Sequence, residues 1–178
     1  MSWMLLACLN AFAGTLEGVT FPDTATVGGS TVVLNGMGLR EKFFINVYVG
    51  GLYLPAKTTD SAKAVNDDVP KKIVMHFQYS DVPKEKVNET FDESFGNQGA
   101  MGTAQAANKE KLKSWMTDLT TGDEIAFEYV PGTGTTVTVK GVKKGTIEGV
   151  DFMKTLWSVY VGPNPPTGAL KSGMMSGK

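Results

Sequence analysis

The chain reads as an α+β fold, one large antiparallel β-sheet with helices layered on one face. Three observations predict it. Apolar and polar side chains alternate at period two in several separate stretches. An amphipathic helical middle, residues 83–119, lies between two groups of these stretches. The chain also has 21 glycines, many of them between the alternating stretches, where they suit tight turns.

Residues 16–21 and 31–34 read as strands separated by a Gly28-Gly29 turn. Gly36-Met37-Gly38 reads as a glycine turn leading to Arg40. A long second strand then runs to Leu54 and stops at Pro55. Phe43, Ile45, Val47 and Val49 form its apolar face. Asn46, Tyr48 and Gly50 form a wall with an amide, a phenol and a gap. Thr59 or Asp60 can cap a short helix through Val65. Pro70 precedes a strand at 72–79.

Pro83 starts a helix where its missing donor does no harm. Val87, Phe91 and Phe95 recur at i, i+4 and i+8 as its apolar stripe. Gly96 to Gly102 interrupts the helix, and 104–119 resumes it. Gly122 returns the chain to a meander of hairpins: 125–130, a turn at 131–134, 135–140, a turn at 141–145, and 146–147. Asp151 can cap a last helix with Phe152, Leu156, Val159 and Tyr160 on one face. The segment 162–166 stops it, and a tail frayed from Ser172 is expected.

Composition narrows the function. Apolar content of 42% and charged content of 20% are those of an ordinary globular domain. A net charge of −1 with mixed signs argues against binding a nucleic-acid backbone. Residues 3–13 are apolar and end in Ala11-Phe12-Ala13, the small-x-small pattern of an export signal. Residues 1–13 are therefore read as a signal peptide and 14–178 as one domain. The segment is too short for a good membrane span. Leu5-Leu6-Ala7-Cys8 also resembles a lipoprotein attachment site. Cys8 is the only cysteine, so the mature chain has no disulfide and no thiol nucleophile.

Few residues carry chemistry. His76 sits between Met75 and Phe77 with no acid or nucleophile nearby in sequence, and reads as a structural or surface residue. One histidine without a cysteine leaves no zinc set. Lys140, Lys143 and Lys144 read as solvated hairpin turns. What remains is Arg40 beside a strand with a polar face. Its planar fork of donors suits a carboxylate, phenolate or enolate.

Gly36-x-Gly38-x-Arg40, then Lys42-Phe43, then a strand closing on Gly51-Leu52-Tyr53-Leu54, resembles the chalcone isomerase superfamily. The order of later features extends the resemblance from about Gly18 to the C-terminus: the helical middle, Gly122-Asp123-Glu124, the 131–135 hairpin and Ile147-Glu148-Gly149-Val150-Asp151-Phe152. The chain is most similar to the bacterial secreted chalcone isomerase-like branch. The resemblance implies a chalcone isomerase-like open-faced sandwich.

In the plant isomerases the arginine of this motif helps bind and activate the chalcone phenolate and carbonyl, and Arg40 matches it. Tyr48 stands where a threonine orders water. Pro83 and Thr90 fall at the tyrosine and asparagine positions of the helix, where Tyr79 or Asn88 can substitute with a shift. The fatty-acid-binding branch holds a carboxylate with an arginine and a tyrosine, which Arg40 with Tyr48 or Tyr53 resembles more. The expectation is therefore non-catalytic binding of a small organic acid or lipid-like ligand, without cofactor or metal, by a monomer outside the cytoplasm. Arg40, Asn46, Tyr48, Tyr79, Asn88 and Thr90 are its candidate contacts. The alternative is an intramolecular lyase acting on an α,β-unsaturated ketone, with Arg40 and Tyr48 catalytic. A third reading is an interaction module without ligand.

Overall fold

A computed structural model describes residues 12–178; most of the expected export signal, Cys8 included, lies outside them. Strands β1 (Phe12–Leu16) and β2 (Val19–Pro22) form a hairpin. The stretch 16–21 is therefore two strands, not one. Glu17 and Gly18 turn between them at φ of 49° and 78°. Seven further strands pair in chain order as one antiparallel sheet: β3 (Thr24–Val27), β4 (Ser30–Lys42), β5 (Ile45–Leu54), β6 (Lys71–Phe77), β7 (Glu124–Val130), β8 (Gly134–Val139) and β9 (Val142–Ile147). The expected antiparallel sheet with helices on one face is what forms.

Each face of the sheet has its own core. On one side Val49, Tyr53 and Val74 pack with Val32 and Leu34 under Val19 and Phe21 of the small hairpin. On the other, Tyr48, Leu52, Ile73, Met75, Phe77 and Phe127 meet the helices. These are α1 (Ser61–Asn66), α2 (Lys84–Gly96), α3 (Ala100–Ala104), α4 (Ala106–Ser114), α5 (Val150–Val161) and α6 (Gly168–Met174). Asp60 caps α1 by accepting from the amides of Ala62 and Lys63. The stripe Val87, Phe91, Phe95 is the buried face of α2, as its spacing requires. Helix α5 starts one residue before Asp151, with Gly149 at its N-cap in the left-handed region.

Lys71 is wholly buried beneath α1. Its Nζ donates to the carbonyls of Ala64, Val65 and Asp67 at 2.8–3.1 Å, which secures the end of that helix. Burial pushes its ammonium down to about 7, against the opposing pull of Asp67 and Asp68.

Two expectations fail for one reason. Gly36 and Gly38 are not a turn but lie inside the 13-residue strand β4, and the tail from Ser172 is not frayed. Its residues 172–174 belong to α6, whose Leu170 and Met174 are buried, and Met175 just beyond is buried too. Side chains of 36, 38 and 40 share one face of β4 at period two. A Cβ on Gly36 would collide with the Gly173 carbonyl oxygen, and one on Gly38 would lie 2.7 Å from the Leu170 carbonyl carbon. Gly173 in turn has no room for a Cβ against Met37 and Gly38. The glycines thus let a helix lie on bare backbone. The gap at Gly50 is filled from the same side by Leu170 and Met174, so it is not a ligand gap. Asn35 fixes the helix end, donating to the Met174 carbonyl at 2.8 Å and accepting from the Thr58 amide at 2.7 Å.

Candidate functional site

Beyond the glycines that α6 covers, the next residue on that face of β4 is Arg40. It pairs with Tyr48 on β5, and a register shift follows between Arg40 and Glu41. The resulting β-bulge leaves Val47 without a partner and reverses the expected faces. Val47 joins Tyr48 on the helix side. Asn46 goes to the other side, where its amide donates to Glu17 at 3.2 Å. Asn46 is therefore not a cleft residue.

Arg40 stands at a neck between two spaces. Inside is an apolar cavity of about 40 Å³ walled by Val47, Met75, Phe77, Val87, Phe91 and Ile125, with Tyr48, Tyr160, Thr90 and Ser94 adding hydroxyls. That volume holds on the order of three water molecules. Outside is an open groove of about 360 Å³, bordered by Phe43, Ile45, Val47, Tyr79 and Val82. Its charged rim is mixed: Lys42 and Lys86 against Asp81, Glu89 and Glu93. Lys86 is itself paired with Glu89 at 2.7 Å.

Arg40 is the only arginine of the chain. It forms no ion pair among the described residues. Its guanidinium carbon lies 5.6 Å from the centroid of the Tyr48 ring, a cation–π contact that holds it at the neck. Burial pushes the Tyr48 phenol up to about 12, with Arg40 pulling the other way. The same burial, reinforced by Tyr48, raises Tyr160 well above the usual phenol range. Both phenols are thus neutral donors at neutral pH. Neither hydroxyl hydrogen-bonds to a described residue, whereas those of Tyr53 and Tyr129 donate to Pro22 and Asp68. One cation flanked by neutral donors is an arrangement that can hydrogen-bond an anion.

The other expected contacts divide. Thr90 lines both spaces, although its hydroxyl donates to the Lys86 carbonyl at 2.9 Å. Tyr79 borders only the outer groove. Asn88 lines neither, and its Oδ1 is buried without a partner. Tyr53 packs on the opposite face of the sheet, so of the two tyrosines expected beside Arg40 only Tyr48 is there. His76 also faces away from the helices, toward Phe21, and pairs with Glu124 at 2.9 Å. Sequence reasoning missed Tyr160, which it counted as helix core. The usable signal was a hydroxyl among consecutive apolar residues, since a buried tyrosine needs a polar outlet. Among the described residues no group of three or more His, Cys, Asp or Glu could hold a metal ion.

The chain is similar to the crystal structure of a fatty-acid binding protein from Arabidopsis thaliana. Identity is 18%, covering 89% of this chain and 92% of that chain, with a TM-score of 0.71. At that identity the likeness shows a shared fold. No curated protein sequence matches. A family model described as chalcone isomerase-like matches residues 13–176. With this span, and with the sheet, the helices and the Gly36-x-Gly38-x-Arg40 face described above, the chain belongs to the chalcone isomerase-like family.

Proposed function

We propose that the chain binds a small organic acid or lipid-like ligand without turning it over. One observation carries this reading: an arginine without an ion partner among the described residues stands beside two neutral phenols where an apolar cavity meets an open groove. A guanidinium half-withdrawn from water favours an ionised ligand that restores its lost solvation. The carboxylate sits at the neck on Arg40 and Tyr48. The apolar part lies along Phe43, Ile45, Val47, Tyr79 and Val82, because the inner cavity is too small for it. The likeness to a fatty-acid binding protein supports this ligand class. Native mass spectrometry after exposure to an equimolar mixture of fatty acids, fatty alcohols and methyl esters tests it. Acids are expected to be retained preferentially, and equal retention of all three would refute the reading.

Chalcone cyclisation is disfavoured by the same site. The inner cavity, sized for a few waters, does not admit a two-ring substrate, so a chalcone would have to lie in the open groove beside solvent. The inner cavity is lined by no carboxylate or imidazole, and a phenol held near 12 is a poor acceptor for proton traffic at neutral pH. Arg40 alone adds little to a ring closure that already proceeds in water. A hydroxychalcone incubated with the protein is expected to cyclise at the buffer rate and without stereoselectivity. Rapid formation of one enantiomer, abolished in Arg40→Ala, would reinstate the lyase.

We further place the protein in the bacterial secreted branch, exported to the periplasm or beyond as a monomer. The support for export is the apolar run at 3–13, which ends in the Ala11-Phe12-Ala13 pattern. Cleavage after Ala13 would leave the pairing of Gly14, Thr15 and Leu16 with β2 in place. N-terminal sequencing of protein from its own host should begin at or near Gly14; an uncut chain recovered from cytosol would exclude export.

A further inference from the structure

The β4–β5 hairpin closes through Phe43 and Phe44, with Lys42 paired to Ile45. Both loop residues have positive φ, 50° and 63°, which makes this a type I′ turn. Such turns are normally built from Asn, Asp or Gly. Bulky side chains resist that backbone region. Here two phenylalanines occupy it, 83% and 96% exposed. They bury almost nothing, so packing in the fold gives no reason for them.

Their neighbours share the pattern. Of the six large apolar side chains most exposed among the described residues, four are Phe43, Phe44, Ile45 and Tyr79, and three of these four border the groove at Arg40. The Lys42 ammonium lies 5.8 Å from the centre of the Phe43 ring. Two phenyl rings at a convex hairpin tip offer far less than the ~800 Å² per partner of a stable protein interface. A bilayer needs no complementary surface. It takes up protruding aromatic and aliphatic side chains at the headgroup boundary, with a lysine at their edge.

We propose that the Phe43-Phe44 tip inserts into the interface of a lipid bilayer and seats the mouth of the groove at headgroup level. A membrane-borne amphiphile then enters without crossing bulk water. That delivery role rests on the acid-binding reading, whereas bilayer docking does not. Around the tip and groove, Arg40, Lys42 and Lys86 offset Glu41, Asp81, Glu89 and Glu93 to within one charge. Insertion is therefore driven by the apolar side chains and depends little on salt.

The test is co-sedimentation of the ligand-free protein with phosphatidylcholine vesicles, with and without phosphatidylglycerol. Phe43→Asn with Phe44→Gly supplies the dipeptide this turn prefers, so the hairpin is kept while the rings are removed. Wild type is expected to bind both vesicle types. The Asn-Gly variant should bind at least about tenfold more weakly, and a Phe43→Leu/Phe44→Leu variant should largely retain binding. Failure of wild type to sediment, or equal sedimentation of the Asn-Gly variant, overturns the proposal. So does a wild-type dimer that this variant dissociates while vesicles bind neither form, which would make the tip a contact between copies. No ligand takes part, so failure here leaves the acid titrations standing, and failure there leaves docking standing.

Discussion

Arg40→Ala is expected to weaken binding of a carboxylate ligand by about tenfold to a hundredfold. A charge-assisted, two-pronged contact contributes on the order of 1.5–3 kcal/mol, which converts to that range. The loss should be specific to the anion. The apolar lining of the groove does not include the guanidinium, so a neutral analogue should bind the variant and the wild type alike. Arg40→Lys keeps the charge but loses the planar fork and should recover only part of the affinity. Tyr48→Phe and Tyr160→Phe should each cost on the order of 1 kcal/mol if their hydroxyls donate to the same group. The variant should stay folded, because the contact it removes is a single exposed-side cation–π pair worth about 1 kcal/mol or less. Isothermal titration, with a thermal melt of each variant, measures all of this. Unchanged affinity for acids in a folded Arg40→Ala protein would remove the anchor from the account.

The second large effect is on stability. Gly38→Ala is expected to cost about 3 kcal/mol, because the new Cβ meets the Leu170 main chain rather than a side chain that could rotate away. For a chain of this length that lowers the melting temperature by roughly 6–12 °C. Gly36→Ala should behave similarly, against Gly173. Gly168→Ala is the control: a Cβ there meets nothing, and a surface change of this kind stays within about 0.5 kcal/mol. Helix α6 follows the Pro166 wall of the cavity, so Gly38→Ala should also weaken ligand binding. A melt in which Gly38→Ala and Gly168→Ala coincide would show that α6 does not rest on the strand as described.

These two positions also show where the sequence was legible. The alternation in β6 and β7, the α2 stripe and the hairpins after Gly122 reflect which side chains leave water, and that pattern is local. Gly36 and Gly38 were ambiguous because a turn and a close helix contact both ask for a residue without Cβ; only the docked α6 decides. That helix hid itself, being short, rich in glycine, with only Leu170 and Met174 for an apolar face, and just beyond a proline-rich stop. Arg40 was legible as a lone guanidinium beside a polar face. Its companions were not. A one-residue bulge at Val47 turned Asn46 away, and Tyr53, five residues beyond Tyr48, falls on the other face. Tyr160 comes from a helix about 110 residues on in the sequence, which no spacing rule connects to Arg40.

The neck is proposed to select an ionised headgroup. The most direct measurement is calorimetric titration of one medium-chain fatty acid and its methyl ester into the wild-type protein at neutral pH. The two ligands share the apolar chain and differ in the charge. The acid is expected to bind about tenfold or more tightly than the ester. Equal affinities would mean that Arg40 plays no part in recognition, and the site would be an apolar groove without an anchor.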